Sequence, residues 1–135
     1  MAKRDAVFPA SPHTLYADHG YSPAVRAGDL LFVSGQVGAR ADGTPEPDLA
    51  DEVALAFANL RDVLAGAGCT PADVIDVQLF TTDPNAVFPL LFAHHPAYWG
   101  EGPLPALTAA GVTWLAGFRF EIKVVARLAG TGDVV

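Results

Sequence analysis

Glu121 is the side chain in this sequence with the clearest chemical promise. It lies in FRFEIKVVARL, residues 118–128, where apolar and other residues alternate almost without fault. Strand side chains project to opposite faces in turn. Phe118, Phe120, Ile122, Val124, Ala126 and Leu128 are therefore expected on one face, and Arg119, Glu121, Lys123, Val125 and Arg127 on the other. A carboxylate in the middle of such a segment has two readings. It pairs with Arg119 or Lys123, or it acts as a general acid/base or holds a water.

Other groups are candidates for the same chemistry. Tyr21, in the turn Tyr21-Ser22-Pro23, either packs on a sheet or lines a cleft. Ser34 and Gly35 end an apolar run, where a glycine lets a backbone or a ligand come close and bare N–H groups can meet a ligand oxygen. Leu107 and Thr108 follow a proline-rich stretch, and the threonine hydroxyl can donate a hydrogen bond. His94-His95 is not a metal motif: adjacent helical residues diverge by about 100°, and no Asp, Glu or Cys stands at ligand spacing. Cys69 follows a helix end with no base beside it in sequence, so a catalytic thiol is not expected.

The elements that must position these groups are legible as patterns. Residues 6–8 suit an edge strand. Ala24–Ala27 and residues 30–36 read as a hairpin turning at Gly28-Asp29. Residues 38–47 are polar turn. Asp48 caps a helix with Asp51 and Glu52 in its first turn, Leu49, Val53, Ala56, Phe57, Leu60, Val63 and Leu64 on its apolar face, and Gly66 as its close. Thr70-Pro71-Ala72-Asp73 reads as a capped single turn, and Val74–Thr81 as a strand. A second helix starts at Asp83-Pro84 and its apolar positions recur to Tyr98, with Pro89 and Pro96 blurring its ends. Residues 106–115 and 118–128 read as two strands joined near Gly117. Trp99 and Trp114 are expected in a core or an interface.

Strand–helix–strand order requires a crossover and hence a mixed sheet with both helices on one face. The other face lacks cover of its own, and 51% of residues are hydrophobic against 17% charged, so self-association is expected. At 135 residues the chain suits one domain, 1–135, with 1–18 and 129–135 peripheral. A net charge of −7 repels phosphate backbones, so no nucleic-acid partner is expected. One cysteine excludes an internal disulfide and suits a reducing compartment. The N-terminal residues lack the apolar core of a secretory leader and no run is long enough for a membrane span, so a cytoplasmic protein with no membrane partner is expected.

Taken together, Gly20-Tyr21-Ser22-Pro23-Ala24-Val25, Leu31-Phe32-Val33-Ser34-Gly35-Gln36, Asn59-Leu60 with Ala67-Gly68, Val74 to Asp83, Pro105-Ala106 and Phe120-Glu121-Ile122 resemble, in order and over roughly residues 19–128, the Rid family (YjgF/YER057c/UK114). The resemblance implies an α+β, chorismate-mutase-like fold, a mixed six-stranded sheet with two helices on one face. It implies a homotrimer with small-molecule clefts between subunits, no metal and no cofactor. The activity implied is hydrolysis of reactive imines or enamines, with Glu121 as the group that holds the attacking water and Tyr21, Ser34, Gly35, Leu107 and Thr108 as substrate-binding residues. Leu107 stands where the family carries a carboxylate-binding arginine, and Phe92 where it carries a helix asparagine. Arginine grips a carboxylate by two charge-assisted hydrogen bonds worth ~1.5–3 kcal/mol each, and leucine offers none. Imino-acid anions are therefore expected to bind orders of magnitude more weakly, and a bulkier or uncharged ligand suits the cleft. Arg119 is a potential stand-in, though an ion pair is the simpler use for it. The rival reading is a non-catalytic small-molecule binder or interaction protein. The ribonuclease activity attached to some relatives sits poorly with an acidic chain.

Overall fold

The structure, a computed structural model, describes residues 3–128. Seven strands form one mixed sheet: β1 (Asp5–Val7), β2 (Ala24–Ala27), β3 (Leu30–Val33), β4 (Gln36–Val37), β5 (Val74–Thr81), β6 (Ala106–Gly111) and β7 (Phe120–Arg127). The helices are α1 (Leu15–His19), α2 (Leu49–Gly66) and α3 (Pro84–Leu91), with 3-10 turns at Pro71–Asp73 and Ala97–Trp99. The strand order is β1-β2-β3-β7-β5-β6, with β4 also paired to β7. All pairings are antiparallel except β5 with β6, the parallel pair that the α3 crossover requires.

The sheet has the expected six positions. The seventh strand arises because the expected run 30–36 is broken. Phe32 pairs with Val125 and Gln36 with Ile122, so three residues on one strand face two on the other. That extra residue makes a bulge at Ser34-Gly35, which divides β3 from β4 along the same edge of β7.

α2 is the helix the pattern promised. Its Asp48 carboxylate accepts from Asp51 N at 3.0 Å, and its apolar face buries Val53, Ala56, Phe57, Leu60, Val63 and Leu64 against Leu31, Val77, Phe120, Ile122 and Val124. It does not close on Gly66, which stays helical; Gly68, at φ 75°, is the left-handed residue beyond its end. Gly66 instead admits the N-terminal strand, since a Cβ there would overlap Phe8 O and lie 3.2 Å from Val7 Cγ1. The stretch before residue 19 thus places Val7 and Tyr16 in the interior. Residues 129–135 lie outside those described.

Three expected boundaries move. α3 stops at Leu91 and does not reach Tyr98, because Pro96 has no N–H to continue the helix and restricts His95. β6 ends at Gly111 and not at Leu115. β7 begins at Phe120, leaving Phe118 to pack with Val37 and Ala39 in a separate small cluster. Arg119 is thereby removed from the alternation and is not a sheet neighbour of Glu121. Its Nε and backbone N donate to the two carboxylate oxygens of buried Glu52 on α2, at 2.8 and 2.6 Å.

Among the described residues, the face opposite α2 and α3 is left largely uncovered along β3, β5 and β6. Phe32 and Ile75 are exposed on the strands β3 and β5, and β6 is exposed along its whole length.

Candidate functional site

Glu121 is placed by the bulge. It is the second residue of β7, paired with Val37 on β4 and Phe80 on β5. Its side chain folds over Gly35, where a Cβ would overlap the carboxyl group and sit 2.8 Å from Glu121 Cγ. Gly35 is required here for close approach and not for an unusual φ. Tyr21 is placed by α1, which ends on Gly20 at φ 75°; Gly20 N and Tyr21 N both donate to Tyr16 O, at 2.9 and 3.1 Å.

A hydrogen-bond relay ties the Tyr21 turn to the bulge. Tyr16 Oη donates to Gln36 Oε1 at 3.1 Å, and Gln36 Nε2 donates to Ser34 O at 3.0 Å. Ser34 Oγ donates to Ser22 O at 2.7 Å, and Ser34 N to Pro23 O at 2.9 Å. Tyr16 also meets Tyr21 edge-to-face at 5.0 Å. Ser34 therefore secures the turn that carries Tyr21.

Together these elements enclose a cavity of about 650 Å³. Glu121, Gly35 and Val37 come from the sheet, Leu15, His19 and Tyr21 from α1 and its exit, and Thr44 and Pro45 from the loop before α2. The remaining wall is Trp114, Leu115, Ala116 and Phe118. This last segment is a tight turn: Phe118 N donates to Leu115 O at 3.0 Å, and Ala116 and Gly117 have φ of 55° and 95°. Positive φ at both central residues turns the chain sharply and leaves Trp114 75% exposed at the cavity rim, not in the core. Trp99 is the buried tryptophan.

Burial pushes the Glu121 carboxyl above its ordinary 4.5, and Lys123 two residues on pulls it part of the way back. Burial also raises the Tyr21 phenol, and the nearby Glu121 charge raises it further. A carboxyl raised on folding binds more protons in the native than in the unfolded chain between the two pKa values. Its contribution to stability is full below about pH 4.5 and is lost as pH rises through the higher native value. Glu121→Gln removes that loss. Its melting temperature is expected to exceed the parent's at neutral pH, and the gap to close as the pH falls to the ordinary carboxylate range. A gap unchanged by acid, in paired thermal scans, would mean that the carboxylate is fully solvated.

Tyr21, Gly35 and Glu121 thus meet at one cavity, with Ser34 just behind it. Leu107 and Thr108 do not reach it within the chain, because β5 separates β6 from β7. Cross-strand partners share a face, so the row Lys123–Gln78–Thr108 lies on the open face with Glu121, and Leu107, opposite Val77, projects to the helix side. Sequence patterning missed Leu15, His19, Thr44, Leu115 and Phe118; only the Ala116-Gly117 turn gave any local signal.

The remaining candidates have structural partners. His94 stacks on Phe57 at 4.7 Å, and His95 Nδ1 accepts from Trp99 Nε1 at 3.0 Å. Cys69 is buried with its Sγ 3.6 Å from Arg127 O. A second cavity of about 330 Å³ lies beside His13 and Asn59. Its polar groups hold the fold: Asn59 Nδ2 donates to Val37 O and Ala39 O at 3.0 and 3.1 Å, and His13 Nδ1 accepts from Leu15 N.

Residues 11–128 match the family model described as endoribonuclease L-PSP. The chain is 59% identical over 128 residues to the RutC family protein YjgH of Escherichia coli K12, spanning 95% of this chain and 98% of that protein. It is 34% identical over 109 residues to the 2-iminobutanoate/2-iminopropanoate deaminase of Rattus norvegicus, spanning 78% of each. A solved structure of protein YjgH superposes with a TM-score of 0.89 at 58% identity, over 94% of this chain and 98% of that one. RidA of an Antarctic Psychrobacter superposes with a TM-score of 0.80 at 25% identity, over 92% and 99%.

Proposed function

Because the chain belongs to the endoribonuclease L-PSP family, the Rid or YjgF/YER057c/UK114 family, we propose that it hydrolyses a small reactive imine or enamine at the cavity above Glu121. The observation that carries this reading is the carboxylate folded over Gly35 on the floor of a largely apolar cavity. A carboxyl group whose pKa is raised by burial is a better proton acceptor than an ordinary carboxylate and can return the proton it takes. Water held by Glu121 attacks the imine carbon and gives its proton to the carboxylate, while the C=N π pair moves to nitrogen. The protonated carboxyl passes its proton to nitrogen. Glu121 then takes the hydroxyl proton of the tetrahedral intermediate and delivers it to the amine; the C=O π bond forms as the C–N bond breaks, leaving a carbonyl compound and ammonia. No step calls for a metal or cofactor.

The site is read as a cleft between copies of this chain in a homotrimer. The exposed β6 and the uncovered apolar face at Phe32 and Ile75 support that reading. β6 of a second copy would bring Leu107 and Thr108 to the cleft as substrate-binding residues. A monomer in sedimentation at working concentration would remove this part of it.

The test is ammonia release from a panel of imines, including enzymatically generated 2-aminoacrylate and imines without a carboxylate, by the parent and by Glu121→Gln. The variant is expected to lose the acceleration, and equal rates for both proteins across the panel would eliminate the proposal. Leu107 favours a second reading, a small-molecule binder without catalysis, since it leaves an imino-acid carboxylate ungripped. An inert parent on which Leu107→Arg confers deamination would support that reading. RNA cleavage is not favoured in a chain of net charge −7.

A further inference from the structure

Resting on the hydrolytic reading above, we propose that the cavity takes imines that carry no carboxylate, as the neutral imine or its iminium cation, with an aryl or branched alkyl group against Trp114, Leu115 and Phe118.

The charge on the walls decides this. Among the described residues the cavity lining contains no lysine or arginine, and its one carboxyl side chain is Glu121. The nearest cations stand behind the lining, each engaged by another group. Lys123 Nζ donates to Val33 O at 3.0 Å. Arg40 donates from Nε and Nη2 to Thr44 Oγ1 at 3.0 and 2.8 Å. Arg119 is locked to Glu52. His19 and Tyr21 are the other titratable groups on the wall.

A second copy of the chain does not restore a cation if it closes the cleft with β6, because Ala106–Gly111 contains no charged residue. The residues outside those described, 1–2 and 129–135, contain no lysine or arginine either. An imino-acid anion would then meet Glu121 with no cation in the lining to grip it; Lys123, whose charge reaches Glu121, is turned to Val33 O outside the lining, and like charges in a poorly solvated site repel strongly. An iminium cation reverses the sign of that interaction and brings its electrophilic carbon to the carboxylate that activates water.

Size and polarity agree with this charge argument. A cavity of about 650 Å³ is in the range used by ligands much larger than a three-carbon imino acid. Trp114, exposed at the rim, offers a face for an aromatic ring or a cation.

The selectivity is separable from catalysis by a binding experiment. Benzamidine and benzoate are planar, of similar shape and of opposite charge, and benzamide is their neutral counterpart. Binding is read from Trp114 fluorescence in mildly alkaline buffer, with Trp114→Phe as the control that identifies the signal. Benzamidine is expected to bind at least about tenfold more tightly than benzoate, with benzamide between them, and Glu121→Gln to bring the three within about threefold. Benzoate binding as tightly as benzamidine would overturn the proposal, as would saturation by none of the three. The parallel hydrolysis panel separates the two readings. If no imine is hydrolysed but the binding order holds, the hydrolytic reading falls and the selectivity stands. If 2-aminoacrylate has the highest kcat/KM, the selectivity falls and hydrolysis stands.

Discussion

Gly35→Ala is expected to lower hydrolysis of whichever imine the parent accepts by about a hundredfold or more, with little change in stability. The new Cβ would occupy the space of the Glu121 carboxyl group. That group is the far end of a flexible side chain, so it can swing away without moving the sheet. Gly35 does not have positive φ, so alanine fits its backbone, and replacing glycine restricts the unfolded chain, an effect of about 0.4–1 kcal/mol in favour of the variant. A carboxylate displaced by an ångström or so no longer holds water over the same carbon, and misplacement on that scale costs about 10²-fold. Gly38→Ala is the contrasting control. Its Cβ would overlap Glu52 O, a backbone atom in α2 that cannot swing aside. The pair is read by thermal melts and initial rates: Gly35→Ala folds and fails to turn over, whereas Gly38→Ala loses stability. Full activity in Gly35→Ala would show that the carboxylate position is immaterial.

Arg119→Met is expected to cost about 3 kcal/mol, a fall in melting temperature of roughly 10 °C at constant protein concentration. Glu52 is fully buried on α2, and Arg119 supplies two of its hydrogen bonds, one from the backbone and one from Nε. Nη2 of the same guanidinium donates to Pro47 O at 3.1 Å and Glu46 O at 3.3 Å, at the start of that helix. Removing the guanidinium leaves a buried carboxylate with only the backbone N–H. Because the Arg119 side chain is 39% exposed, water offsets part of the loss, which places the estimate of about 3 kcal/mol at the low end for a broken buried pair. The double variant Glu52→Met/Arg119→Met should recover most of the stability, since a buried pair replaced by apolar groups is close to neutral. A single-variant cost below about 1 kcal/mol in denaturant titration would class the pair as an ordinary surface contact. Catalysis offers a second readout: Arg119 leads directly into Phe120 and Glu121, so the single variant should also loosen the cavity wall formed by Trp114, Leu115 and Phe118.

The amino-acid order by itself determined what depends on near neighbours. Asp48 and the apolar spacing to Leu64 define α2 because capping and helical periodicity act within a few residues. Val74–Thr81 and the body of β7 follow from alternation, and the family motifs around Tyr21, Ser34-Gly35 and Glu121 identify the fold and three groups that meet at the cavity. What only the tertiary structure decided depends on register and on partners distant in the chain. The bulge at Ser34-Gly35 exists because three residues face two on β7, and no local pattern counts residues on another strand. Arg119 looked like part of the alternation, but a buried carboxylate 67 residues away claims it. The pairing of β6 with β5 put Thr108 on the Glu121 face and Leu107 on the other. The cavity's lack of a cation arises the same way: arginines and lysines are present in the sequence, and long-range hydrogen bonds fix where their charges end.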